Sequence, residues 1–271
     1  MDQIATAGLD NLGYILAALG ACAWIPQVPT LWNKYISKPK ISITAKSIEL
    51  GFDLNGPLLN MNLALLSQNK SGTIGTIKAI ITHEDKQETT FEWSTIASGV
   101  ENKSTDNNGG TITNRSSVEA LMLHLPLDFT QVISLWFFSN LKKARFDNII
   151  FPFEYKIDRM CRDNQLDNEA LEKYLKNNTE WTNVKDLIPE MFTWKAGKYK
   201  LTLLIEALDG KISYTPQTFK FKINTNSAEI LKDNIETTLH NMNETLICKI
   251  NPTYQKQNKA YYWQNFMLEK C

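Results

Sequence analysis

Beyond Pro39 the apolar residues of this chain recur at every second position, and that period constrains the fold more than any other feature. In Leu59-Asn-Met-Asn-Leu-Ala-Leu65, three leucines and Met61 share one face while Asn60 and Asn62 share the other. Successive strand side chains point to opposite faces, so this pattern specifies a strand with one buried side. The same alternation predicts strands over Ile41 to Leu54, Leu58 to Leu66, Ile74 to His83 and Glu88 to Ser94. Ile77, Ala79 and Ile81 point inward on the third of these, and Phe91 and Trp93 on the fourth. Val118 to Leu125 and Thr130 to Phe138 add two more. Asn55-Gly-Pro57 and Glu84-Asp-Lys-Gln87 carry turn chemistry. Asn107-Asn-Gly-Gly110 forms the tip of a long polar loop running from about Asn102 to Asn114. Strands arriving at short intervals without intervening helices predict a mainly β, antiparallel sandwich rather than a parallel α/β sheet.

Two segments break the period. Between about 142 and 192 the spacing turns helical: Asp167 is placed to cap a helix carrying Leu171, Tyr174 and Leu175, and Val184, Leu187, Ile188 and Met191 mark another, interrupted by Pro189. The region has too few apolar residues for a core of its own and reads as a helical insertion between strands. Near the C-terminus, Asn226 followed by Glu229 resembles a capping box. Leu231, Ile235, Leu239 and Met242 then form one stripe, expected to pack on the sandwich together with the tail Tyr261-Tyr-Trp263 and Phe266.

The N-terminal stretch is of another kind. No charged residue occurs from Asn11 to Asn33, and a helix of that length reaches across a hydrocarbon core of about 30 Å. Its leucines, isoleucines and valine favour insertion by roughly 3 kcal/mol together. Gln27, Pro26 and Pro29 offset part of this near one end, where headgroups satisfy freed backbone groups. Tyr14, Trp24 and Trp32 suit the two interfaces. Leu12 to Trp32 is therefore read as a single membrane span. Lys34, Lys38 and Lys40 follow it and nothing basic precedes it, which places the N-terminus outside and the main domain in the cytoplasm. A secretory signal would need a basic leader where Asp2 and Asp10 stand. Leu19-Gly-Ala-Cys22 has the form of a lipobox, although the residues after Cys22 stay apolar. A buried or re-entrant helix bent at the prolines is the remaining alternative.

Charge and composition narrow the function classes. Twenty-nine basic residues balance twenty-nine acidic ones, whereas a general nucleic-acid binder needs a basic surplus. Cys22, Cys161, Cys248 and Cys271 form no metal-binding spacing and read as free thiols, with a Cys161–Cys248 bridge as the sole internal option. His83 sits at a hairpin tip, His124 in a strand and His240 on the polar side of the last helix, so no catalytic, cofactor or metal residue is assigned. No phosphate loop, dinucleotide fingerprint, nucleophile elbow or zinc-protease helix occurs.

The stretch from Phe192 to Gly210 resembles the penultimate strand and turn of immunoglobulin-like and fibronectin-type sandwiches. Trp194, Gly197 and Tyr199 stand where those domains place the residues of their tyrosine corner. Tyr199, Leu201, Leu203 and Ile205 then alternate inward, Asp209-Gly210 turns the chain, and Phe219, Phe221 and Ile223 alternate with Lys220 and Lys222. The resemblance covers about 32 residues and implies a fold, not an activity. Ala196 departs from the proline expected before the glycine, and no core cysteine pair flanks a tryptophan.

Together these features predict a membrane anchor at 1–35, a linker at 36–40, a β-sandwich at 41–225 with its helical insertion at about 142–192, and a packed C-terminal helix and tail at 226–271. The implied function is a membrane-tethered binding or scaffolding module that meets a protein partner at Asn102 to Asn114 or at the helical insertion. An enzyme with a site of dispersed carboxylates, and an exported lipoprotein or adhesin anchored through Cys22, are the alternatives.

Overall fold

The structure, a computed structural model, describes residues 27–32, 37–105, 111–163, 168–208, 212–251 and 253–271. Most of the stretch read as a span lies outside these residues, as do Cys22, Asp167, the Asn107–Gly110 tip and the Asp209-Gly210 turn. No helix among the described residues is long and apolar enough to cross a membrane. Of the N-terminal stretch, a single helical turn at Val28–Leu31 is described, followed by Trp32.

Strands dominate, as the period of two requires. They are β1 (Lys40–Asp53), β2 (Gly56–Gln68), β3 (Gly72–His83), β4 (Glu88–Thr105), β5 (Thr111–Glu119), β6 (Leu123–Leu125), β7 (Thr130–Phe138), β8 (Gly197–Ala207), β9 (Ser213–Tyr214), β10 (Gln217–Ile223), β11 (Gln264–Met267) and β12 (Glu269–Lys270). All twelve belong to one sheet, where an immunoglobulin-like sandwich has two. The order is β11-β1-β2-β7-β4-β3-β8-β10-β12, with β5 on β4, β6 on β3 and a short parallel β9 on β1. The two ends of that path are consecutive in the chain, separated only by Leu268. Met267 pairs with Ser47 of β1, while Glu269 pairs with Lys220 of β10. The C-terminal segment therefore joins the first strand to the last, and the sheet returns on itself.

The reason lies in the burial. Inward residues from strands all around the circuit, among them Leu50, Leu59, Leu63, Ile77, Phe91, Leu135, Leu201 and Phe221, form one apolar cluster. A strand's single apolar face is satisfied when the sheet curls around it. Trp194 plugs one end, stacked on Phe91 at 5.6 Å, with its indole N–H donating to the Gly51 carbonyl at 2.6 Å.

The corner that suggested a sandwich does form locally. The Tyr199 hydroxyl donates to the Lys195 carbonyl at 2.9 Å and accepts from the Lys195 N–H at 2.8 Å. Gly197 holds φ +147°, and a Cβ there would collide with the His83 imidazole, so glycine is required.

Five helices gather at the same end of the barrel as Trp194: α1 (Asn140–Arg162), α2 (Asn168–Asn177), α3 (Thr179–Met191), α4 (Thr225–Lys232) and α5 (Asn234–Ile250). They make a second apolar cluster from Phe146, Phe153, Trp181, Leu187, Met242 and their neighbours, reaching the barrel through Phe52. The insertion's helices form this cluster together with Ile235, Met242 and Leu246 of α5. The stripe expected on one C-terminal helix is divided in two. Leu231 on α4 joins the barrel core, and Ile235 and Met242 on α5 join the helical one. The cap is Asn224, which accepts from Ser227 N–H, rather than Asn226.

The chain after α5 runs back along it as an extended strap. The Asn234 amide accepts from Tyr262 N–H at 2.7 Å and donates to the Tyr262 carbonyl at 2.8 Å. Asn241 repeats the arrangement with Lys259, at 2.7 and 2.9 Å. Seven helical residues rise about 10.5 Å and three extended ones about 10 Å, so the two asparagines match the strap's repeat. Both are buried. Asn234→Ala leaves the N–H and carbonyl of Tyr262 without partners, at an expected cost of about 2–3 kcal/mol. Urea unfolding of the full chain measures it, and a cost no larger than that of Asn243→Ala on the same helix would refute the role.

Candidate functional site

Outside the barrel, β8 and β10 carry the most concentrated charge pattern of the described residues. In this antiparallel ladder Lys200 stands directly opposite Lys220, and Lys198 directly opposite Lys222. Alternation dictates the rest: with Tyr199, Leu201, Phe219 and Phe221 committed to the core, the intervening lysines must face outward. Like charges facing each other across a ladder destabilise it. No described carboxylate forms an ion pair with any of the four.

The four lysines line a groove of about 610 Å³. Tyr199 and Phe221, stacked at 5.0 Å, contribute to its walls, with Met267 of the closing segment and Thr82, His83, Glu84 and Glu269 at the margins. A second depression of about 600 Å³ continues the surface past Lys200 and Lys220 to Lys270. Met267 is 61 % exposed, giving the groove an apolar element beside its charges. Such an arrangement recognises anionic groups through ammonium donors.

The β3–β4 turn at its margin is rigid. His83 Nδ1 lies 2.9 Å from Asp85 Oδ1, and His83 Nε2 lies 3.3 Å from the Ala196 carbonyl. The Gln87 N–H, then His83, hold the Asp85 carboxyl down at about 2. His83 is therefore a fastening of the turn to the tyrosine corner. His124 contacts Thr73 at 3.3 Å, and His240 contacts the Gln257 carbonyl at 2.8 Å. The three stay apart, as their sequence positions imply.

Cys161, Cys248 and Cys271 are free thiols, so the Cys161–Cys248 bridge is not formed. Among the described residues no group of three or more histidines, cysteines or carboxylates is arranged to hold a metal ion. Lys142 is lowered to about 8 by burial; it donates to the Met191 carbonyl at 2.7 Å and so caps the C-terminus of α3. Asp53, at the β1–β2 turn, accepts from the Asn55 N–H at 2.7 Å, yet burial raises it to about 6.

The surface expected at Asn102 to Asn114 has a different form. Residues 94–105 and 111–119 are a long β4–β5 hairpin rather than a loop, and β4 runs eight residues past its last pairing with β7. Strands of this kind carry too few apolar residues to set a period of two in the sequence. Among the described residues β5 has no strand on its outer edge. The lysine ladder itself was half visible, since Lys200, Lys220 and Lys222 alternate with core residues. Only the register reveals that they oppose one another.

Comparison with family models, with curated proteins and with solved structures returns no match.

Two outcomes follow from this electrostatic layout. Lys222→Glu, opposite Lys198 and without a partner on β12, converts a repulsive cross-strand pair into an attractive one, so unfolding stability at low salt should rise by about 0.5 kcal/mol. The gain should shrink in 1 M NaCl, and a loss of stability at low salt would show that the lysines do not repel. For Asp53, the folded chain holds the proton more tightly than the unfolded chain, whose value is 3.8. Ionisation therefore lowers stability as pH rises from about 4 to 6, and the penalty is complete above that. Asp53→Asn should stabilise the chain at pH 7.5 by on the order of 2 kcal/mol relative to the same comparison at pH 3.5. Denaturant titrations at the two values decide, and an unchanged difference would rule the burial effect out.

Proposed function

We propose that this chain is a membrane-tethered binding or scaffolding module, held by Leu12 to Trp32, whose main domain faces the cytoplasm and takes an acidic protein segment into the lysine-lined groove. The tether reading is supported by the uncharged stretch at Asn11 to Asn33 and by the lysines that follow it. The barrel interior is filled with side chains, so it offers surface rather than a cavity for recognition. The observation that carries the partner's chemistry is the register placing Lys200 against Lys220 and Lys198 against Lys222. A ladder that repels itself gains from a bound run of carboxylates, which neutralises several ammonium groups at once. Lipid headgroups are the poorer occupant. Lys198 and Lys222 lie at the helix-bearing end of the barrel, and from Leu208, on the side where the chain leaves toward the tether, back to Tyr199 the strand covers about 30 Å.

The test is affinity capture with the full-length chain in detergent, comparing the wild type with a Lys198→Glu, Lys222→Glu double variant. Charge reversal should reduce capture of an acidic protein by about tenfold or more, whereas Lys46→Glu, on β1, should leave it intact. Identical capture by all three would reject the groove. A pair of C-terminal reporter fusions, one active on each side of the membrane, tests the tether. Recovery of the full chain in the soluble fraction would reject it.

A further inference from the structure

The end of the barrel opposite the helices carries an unusual set of exposed apolar side chains. Leu127 and Phe129 lie in the β6–β7 loop, Met122 just before β6, Val132 early in β7 and Leu208 at the end of β8. Val132 is 72 % exposed, Leu208 61 % and Phe129 57 %. Backbone contacts fix them at one pole. Leu127 bridges to Ser67, the Asp128 N–H donates to the Ser67 carbonyl, and the Leu208 N–H to the Thr73 carbonyl. Ser67, Gly72 and Thr73 are at the β2–β3 turn, and this turn lies beside the start of β1. Lys40 pairs with Gln68, and a Cβ on Gly72 would touch Pro39.

This is also the pole at which the chain arrives from its uncharged N-terminal stretch. The Ser37 N–H donates to the Trp32 carbonyl at 2.8 Å, which holds Trp32 within a few residues of Pro39. Trp32 is itself 56 % exposed. Indole rings and apolar side chains on loops, flanked by lysines, suit the boundary between headgroups and acyl chains. Lys38 and Lys40 are exposed there; Asp128 is the acidic neighbour.

We infer that this pole is a membrane-contacting surface, with Phe129, Leu127, Leu208 and Trp32 seated in the headgroup region of the same bilayer that holds the tether. The inference rests on the tethered reading above and deepens it, because it fixes how the domain stands. This end of the barrel faces the lipid, with the β4–β5 hairpin running on past β7 beside it, while the helices and the lysine groove are carried away from it. Apolar loop tips seated several ångströms deep remove surface from water that is otherwise exposed. The connection from Trp32 to Pro39 keeps Trp32 near this pole, since seven residues extend at most about 25 Å.

The experiment uses the full-length chain with its native cysteines replaced by serine, reconstituted into phosphatidylcholine vesicles with brominated acyl chains. An environment-sensitive fluorophore is attached in turn at Phe129→Cys, Leu208→Cys, Trp32→Cys and, as the distal control, Lys220→Cys. The expected result is about two-fold quenching at Phe129→Cys, Leu208→Cys and Trp32→Cys and none at Lys220→Cys. Quenching at Trp32→Cys alone overturns the inference and leaves the tether intact. No quenching at any position overturns both. Protection of Phe129→Cys and Leu208→Cys from aqueous iodide without quenching by bromolipid means that protein covers the pole, and this too overturns the inference.

Discussion

The architecture depends on the way the last 20 residues are held. Two buried asparagine amides on α5 pair with the strap as if they were backbone of a neighbouring strand. Glu244 adds a contact to the Gln257 N–H at 2.8 Å. These pairs satisfy buried polar groups that would otherwise cost about 1–3 kcal/mol each. They also deliver Trp263 and Phe266 to the barrel. Trp263 meets Trp136 edge to face at 5.0 Å, and there is no room for a Cβ on Gly51 beneath it. Only then can Met267 and Glu269 bond to β1 and β10. The helical layer thus positions the segment that closes the sheet, so the two apolar clusters, though separate, are joined through one piece of chain.

Closure solves two problems together. An open sheet of this length would leave β1 and β10 with unpaired edges, and such edges recruit other chains. It would also leave Ile41, Ile43 and Phe221 facing water on the ends of the sheet. Filling the interior removes both costs, and it also removes the interior as a place to bind anything. The outer surface is left for recognition, and it carries the lysine ladder and the apolar pole, which differ in chemistry and lie at different heights on the barrel.

The strands were legible because each has one apolar face. Leu59 through Leu65 and Phe219 through Ile223 carry their burial in their spacing. The sheet's global arrangement was not legible, because pairing order is set by contacts between distant segments that leave no local mark. The Trp194–Tyr199 corner shows the limit well: the local hydrogen bonds formed as its residues imply, while the surrounding strands adopted a single sheet instead of two. The hairpin over Thr95 to Glu119 leaves little mark in the sequence because its apolar residues, Ile96, Val100, Ile112 and Val118, are too widely spaced to set a period of two. Asn234 and Asn241 were invisible for the opposite reason. They are polar residues in a stripe of polar residues, and only the strap explains their burial.

The lysine ladder is the place where local rules and the fold disagree. Elsewhere on this sheet a lysine is paired across the strands: Lys78 on β3 reaches Glu206 at 2.8 Å and Glu92 at 3.8 Å, one on each neighbouring strand. The chain therefore uses carboxylates to quench lysines where nothing else is required of them, one strand away from the ladder. It has as many acidic as basic residues with which to do so. Lys198, Lys200, Lys220 and Lys222 form no ion pair with a described carboxylate, although Glu269 stands opposite Lys220 on β12 and Glu84 lines the same groove. Lysines placed directly opposite one another carry a cost in stability. An anionic occupant of the groove would offset that cost, because each carboxylate it brought would lower the repulsion between the strands.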